Sequence, residues 1–98
     1  MNKSDVELIK RTVDTEHLLT RHLGTPTKRL GNTIWWHSPF RRDSDASLCY
    51  SLVKGIHDFG DSRHYDIFSL LMRMYNIDFV NAVKLVADEY GINLGNEY

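Results

Sequence analysis

The sequence predicts an α+β fold: a small three-stranded antiparallel sheet flanked by helices at its N-terminal and C-terminal ends. Three observations carry this. Residues 33–59 are rich in β-branched and aromatic types and contain one clean polar–apolar alternation. The segments on either side space their apolar residues at helical intervals and begin with helix-capping residues. Gly and Pro fall between the periodic segments rather than inside them.

The elements follow in order. Ser4-Asp5-Val6-Glu7 has the form of a capping box, and Val6, Ile9 and Val13 share one face of the helix after it. Asp14 or Thr15 can cap a second short helix carrying Leu18, Leu19 and Leu23, or the two can form one bent helix. Gly24 ends this region, and Pro26 prevents its continuation. Thr33–His37 is the first expected strand, closed by Pro39, and Arg41–Asp45 is a polar loop. Ser47–Leu52 alternates as a half-buried strand should, Val53-Lys54-Gly55 is a turn, and Ile56–Phe59 is the third strand. Gly60–Tyr65 reads as a loop. Asp66 caps a helix reaching about Tyr75, with Ile67, Leu70, Leu71 and Met74 inward. Asp78 caps the last helix, whose stripe is Phe79, Ala82, Val83, Val86, Ala87 and Tyr90, and Gly91 closes it.

Ninety-eight residues are expected to make a single domain, 1–98, ending in a loose tail at 93–98. A hydrophobic share of 42% and a charged share of 26% are ordinary for a globular protein and exclude a disordered or fibrous chain. No apolar run approaches the roughly 18 residues that span a bilayer, and the first residues show no apolar signal region. One cysteine, Cys49, excludes an internal disulfide framework, so a cytoplasmic location is the expectation. The net charge of -1 gives no global nucleic-acid signature, but charge is uneven. Residues 21–63 hold seven Lys/Arg against four Asp, and Lys28, Arg29, Arg41 and Arg42 follow one another with no acid between them. That segment can face phosphate; two short basic pairs are also ordinary surface.

Two stretches carry the functional argument. Trp36-His37-Ser38-Pro39-Phe40-Arg41 precedes His57-Asp58-Phe59-Gly60-Asp61 by about twenty residues. Together they resemble the zinc-binding domain of bacterial DnaG-type primases, the CHC2 family, in which Cys-Pro-Phe-His is followed by Pro-Ser-Phe and then His-Cys-Phe-Gly-Cys. The resemblance runs from about Ile9 to Leu94. It includes Lys28-Arg29-Leu30-Gly31 before the first strand, Ala46-Ser47-Leu48, the helix 67–72, and Ile77–Val83 with Val86-Ala87 and Gly91-Ile92. The four ligand places of the family fall on Ser38, Arg41, Asp58 and Asp61. The resemblance thus implies a zinc-ribbon-like fold without metal.

Zinc requires Cys, His or carboxylate ligands in a tetrahedron. Ser38 is unfit and Arg41 repels a cation. Arg41 is instead expected to replace the metal's charge near Asp58 or Asp61, with Trp35, Trp36, Tyr50 and Phe59 adding packing. A rearranged site from His37, Cys49, His57 and His64 is the alternative, and Asp58, Asp61 and Asp66 could form an acidic cluster for magnesium, as a metal-dependent nuclease fragment would need. No nucleophile–base spacing and no phosphate loop stands out, so no catalytic residue and no cofactor is expected.

For single-stranded DNA, basic residues with interleaved aromatics are the required chemistry, because bases stack on rings. Lys28, Arg29, Trp35, Trp36, Arg41, Arg42 and Tyr50, with Phe40 beside them, supply it. Adjacent strand residues point to opposite faces, so one of Trp35 and Trp36 is expected inside; both could also be core. In the resembled family the sheet reads template DNA beside a polymerising domain. The resemblance therefore implies a non-catalytic accessory protein of DNA replication. Its expected partners are single-stranded template and a separate polymerase, primase or helicase, with a plasmid, phage or other mobile element as the natural setting and no membrane partner. Tyr75, Tyr90 and Tyr98 are docking candidates. A pure protein-interaction module that lost DNA binding together with zinc is the alternative.

Overall fold

The computed structural model describes residues 3–94, as four helices and five strands. In chain order these are α1 (Lys3–Thr12), α2 (Thr15–Leu23), β1 (Lys28–Leu30), β2 (Thr33–Trp36), β3 (Leu48–Ser51), β4 (Gly55–Asp58), β5 (Arg63–Tyr65), α3 (Ile67–Tyr75) and α4 (Phe79–Glu89). The strands form one antiparallel meander in the order β1-β2-β3-β4-β5.

The expected three-strand sheet is thus corrected to five strands. Both additions are three-residue edge strands. All of β1 is exposed, so it has no polar–apolar alternation to read. Its signal was the two-residue Gly31-Asn32 link to β2, a hairpin pair, with Gly31 at φ 59°. β5 lies in the stretch expected as a loop, just after Ser62 turns the chain at φ 59°. The three expected strands are each trimmed or shifted by one residue at an end, and the turn after β3 is Leu52–Lys54.

Local chemistry explains the helix ends. α1 begins at Lys3, so Ser4 sits inside its first turn rather than before it. α1 and α2 are separate helices, because the Asp14 side chain accepts a hydrogen bond from His17 N and starts a new turn. Asp66 caps α3 reciprocally with Ser69, and Asp78 caps α4.

All four helices contribute to one core on one side of the sheet. Ile9, Leu18, Leu19, Leu70, Leu71, Val83 and Val86 are fully buried and meet Ile34, Trp36, Leu48 and Ile56 from the strands. Trp36 is the inward tryptophan. It is 1% exposed, and its indole Nε1 donates to the Gly24 carbonyl at 2.9 Å, tying β2 to the end of α2. Phe79 departs from its expected inward place: its ring is partly exposed and meets Phe68 edge-on at 5.6 Å. Tyr50 and Leu94 pack against the rim of this core. Residues 95–98, where the rest of the expected loose tail and Tyr98 fall, lie outside the described residues.

Trp36→Ala is expected to lower unfolding stability by about 3–5 kcal/mol, since it empties a ring-sized volume and strands a carbonyl. Trp35→Ala should cost distinctly less. Equal denaturant midpoints for the two variants would contradict this packing.

Candidate nucleic-acid interface and former metal place

The ligand places of the resembled zinc site fall at the open end of β2 and β4. Ser38 and Arg41 stand in the loop after β2; Asp58 ends β4 and Asp61 lies in the turn before β5. A polar network ties them. The Arg41 guanidinium grips Asp58 with two parallel bonds, Nη1 to Oδ2 at 3.1 Å and Nη2 to Oδ1 at 2.5 Å. Asp58 is fully buried, whereas the Arg41 side chain keeps 30% of its surface. Arg41 Nη2 also donates to Ser47 Oγ at 2.6 Å, and Ser47 Oγ donates onward to Asp43 at 2.7 Å. Asp43 further accepts from the backbone N–H of Ser38 and of Ser47. Ser38 Oγ accepts from Phe40 N, and Asp58 Oδ1 accepts from Gly60 N. Gly60 is required for this: a Cβ there would lie 1.8 Å from Arg41 Nη2.

The network sets the charge states. Its hydrogen bond to Asp58 raises Arg41 above the ordinary arginine value. Burial pushes the Asp43 carboxyl up, but the bonds from Ser38 and Ser47 and the charge of Arg41 outweigh it and hold Asp43 low. Asp61 is not part of the clip. It accepts from Arg73 Nη1 at 2.8 Å, which holds its carboxyl low. Arg73 also donates to the Tyr65 hydroxyl and lies 4.0 Å from the Phe40 ring centre, so the second turn is pinned to α3 and to the first loop.

These residues do not fit a zinc ion. The guanidinium lies where a cation would be repelled, and Asp58 has spent its oxygens on Arg41 and Gly60. The alternative metal set does not assemble either. Among the described residues no group of three His, Cys, Asp or Glu side chains is placed to hold a metal. His57 and His64 are neighbours, with ring centres 4.2 Å apart, but His37 lies exposed beyond the end of β2. The acidic trio is likewise dispersed: Asp58 pairs with Arg41, Asp61 with Arg73, and Asp66 caps α3. Burial pushes the Cys49 thiol above its ordinary value, which disfavours the nucleophilic thiolate.

The second site is the sheet face away from the helices. Register places Lys28, Trp35, Cys49, His57 and His64 side by side across all five strands. Lys28 Nζ lies 5.2 Å over the Trp35 ring. Phe59, just beyond β4, stacks on Trp35 at 5.6 Å and meets His57 edge-on at 4.3 Å. A groove of about 360 Å³ lies over Trp35, Cys49, His57 and His64, lined also by Phe59 and Lys54, with no carboxylate among its lining residues.

The expected DNA-contacting residues therefore divide. Lys28 and Trp35 share the outer face, and Arg42 is exposed in the loop after β2. Trp36 is in the core and is withdrawn from a stacking role by its burial. Arg29 and Tyr50 belong to the adjacent register row, on the helical side, where Arg29 bonds Glu16 at 2.7 Å. Arg41 is committed to Asp58. Phe40 packs near Tyr65, with ring centres 5.8 Å apart. His57, His64, Phe59 and Lys54 join this outer face without being among the expected residues. Their signal was the strand alternation starting from Trp35, once the register is known.

The CHC2 zinc finger model, that of the DnaG zinc ribbon, matches residues 1–98. The chain belongs to this family, which ties it to primase-type replication proteins. Among solved structures it is similar to the crystal structure of the Aquifex aeolicus primase zinc-binding and RNA polymerase domains, with 22% identity and a TM-score of 0.82. The match covers 99% of this chain and 24% of that one. The family model that matches is the zinc finger rather than a polymerase domain. No curated protein matches the sequence. Among the described residues no helix is long and apolar enough to cross a membrane.

Purified protein is expected to hold no stoichiometric zinc by elemental analysis and to keep its circular dichroism in EDTA; about one zinc per chain with unfolding by chelator would contradict the clip. Acid should act where the chelator does not. Asp43 and Asp61 have folded pKa values below their unfolded ones, so their contribution is present above the ordinary carboxylate range. It is lost as pH falls through the lowered folded values. Denaturant midpoints should therefore fall below about pH 4, and fall less in Asp43→Asn, whose midpoint is already reduced at neutral pH.

Proposed function

We propose that this protein is a non-catalytic accessory factor of DNA replication. It binds single-stranded template through the outer face of its sheet and acts with a separate polymerase, primase or helicase to support primer initiation. The observation that carries the reading is the five-strand row of Lys28, Trp35, Cys49, His57 and His64, a cationic and aromatic surface left uncovered by the helices. Stacking rings with flanking cations suit single strands irrespective of sequence. Family membership supplies the replication setting. Exposed Tyr75, Phe79 and Val80, at the end of α3 and the start of α4, give a protein partner apolar surface.

A second reading, a pure interaction module, is favoured by one observation: Arg29 and Arg41 are spent on Glu16 and Asp58 and leave fewer cations for phosphate. Salt titration separates the two. Oligonucleotide affinity is expected to fall steeply with salt, and the combined Lys28→Glu and Lys54→Glu variant should bind more weakly at an unchanged denaturant midpoint. Its log–log salt slope should be shallower by about 0.7 for each phosphate that the variant no longer neutralises. With its cognate replication enzyme the protein should co-elute and raise initiation on unprimed template more than extension of a primer. Salt-indifferent binding, or none, would favour the interaction module. Failure both to co-elute and to alter initiation would defeat the replication role.

A further inference from the structure

Two buried polar side-chain atoms among the described residues have no hydrogen-bond partner: Trp35 Nε1 and His57 Nδ1. Both residues line the outer groove. An unpaired buried donor or acceptor is costly and calls for a physical account. The ring that lies against both residues is Phe59, stacked on Trp35 with 24° between the planes and edge-on to His57. Phe59 can satisfy neither atom, because it has no polar group. It is also 60% exposed, so its ring can move aside while its backbone N–H stays bonded to the Ser47 carbonyl at 2.9 Å.

We propose that the groove seats one unstacked nucleobase, which takes the place that the Phe59 ring holds over Trp35 and His57. This rests on the single-strand reading above and names its reading element. A nucleobase is flat and aromatic, so it preserves the stack on Trp35. Unlike phenylalanine it carries an acceptor or donor for whichever tautomer His57 adopts, while the indole N–H, which points outward in the plane of its own ring, is left for a sugar or phosphate oxygen beside the stack. Its phosphates would meet Lys28 and Lys54, and no carboxylate lines the groove to repel them. A volume of about 360 Å³ lies at the small end of ligand pockets, roughly 300–1,000 Å³, which favours one base over several.

The test compares oligothymidylate with an abasic oligonucleotide of the same length. Wild-type protein should bind the oligothymidylate about five- to a hundredfold more tightly, the range that base stacking supplies. Phe59→Ala removes the competing ring, so it should bind oligothymidylate about two- to tenfold more tightly and leave the abasic affinity unchanged. Trp35→Phe keeps a ring but deletes the donor, and should lose about three- to tenfold on both oligonucleotides, since both carry sugar–phosphate oxygens. Denaturant midpoints of both variants establish that they fold, and the wild-type comparison stands without them. Equal binding of the two oligonucleotides would overturn the base seat while leaving single-strand binding intact. Weaker oligothymidylate binding by Phe59→Ala would overturn the displacement, and an unaltered Trp35→Phe would overturn the hydrogen-bond reading. Binding of neither oligonucleotide would remove the single-strand function itself.

Discussion

The fold of the central region depends on the contact between Arg41 and Asp58. In a zinc ribbon the metal joins two turns that have little apolar surface of their own. Here one fork of N–H groups reaches from the first loop to the end of β4. Asp58 is fully buried, so its charge is tolerable only because Arg41 and Gly60 N satisfy its oxygens. The clip then extends itself. Ser47 accepts from Arg41 and donates to Asp43, and Asp43 holds the Ser38 backbone. One ion pair thereby organises the loop from Ser38 to Ser47, which otherwise has no regular structure.

Such a pair does not match the free energy of a structural zinc, which is on the order of 10 kcal/mol or more, because part of its attraction offsets the desolvation of Asp58. The remainder must come from packing. Trp36 supplies a large buried ring and a hydrogen bond to α2, while the helices on both chain ends close over the same sheet face. Five strands in place of three add backbone pairing at both edges. The replacement is thus distributed: directional bonds set the geometry of the turns, and burial elsewhere sets stability. The Arg73 bridge from Asp61 to Phe40 and Tyr65 has the same logic, with α3 holding a turn that a metal would otherwise hold.

The helices were legible in the sequence because caps and apolar stripes are local signals. Asp14, Asp66 and Asp78 each cap the helix they precede. The edge strands were not, since an exposed strand such as Lys28–Leu30 carries no alternation and is held only by its partner. The role of Arg41 was readable from a ligand place filled by a cation, but the choice of Asp58 over Asp61 was not. That choice follows from where β4 ends and where Arg73 projects from α3, both tertiary facts. The same holds for the residues expected to contact DNA. Charge and aromaticity along the chain gathered Arg29, Trp36, Arg41 and Tyr50 with Lys28 and Trp35, and only the register separates the two faces.

That separation gives the two sides of the sheet different surroundings. The inner row, from Ile34 through Tyr50 and Ile56 to Tyr65, is covered by helices and stabilises the fold. The outer row, from Lys28 to His64, is not needed for that core, yet it concentrates rings, imidazoles and a cation. The indole N–H of Trp35 and one imidazole nitrogen of His57 stay unpaired beneath an exposed phenyl ring, and the proposed base seat rests on them. Because the Arg41 clip fixes β4 and the turn after it, Phe59 is held at the mouth of this face by the same residue that stands in for the metal's charge. The stabilising device and the proposed binding face are therefore mechanically joined through Asp58 and Phe59, adjacent in sequence and on opposite sides of the sheet.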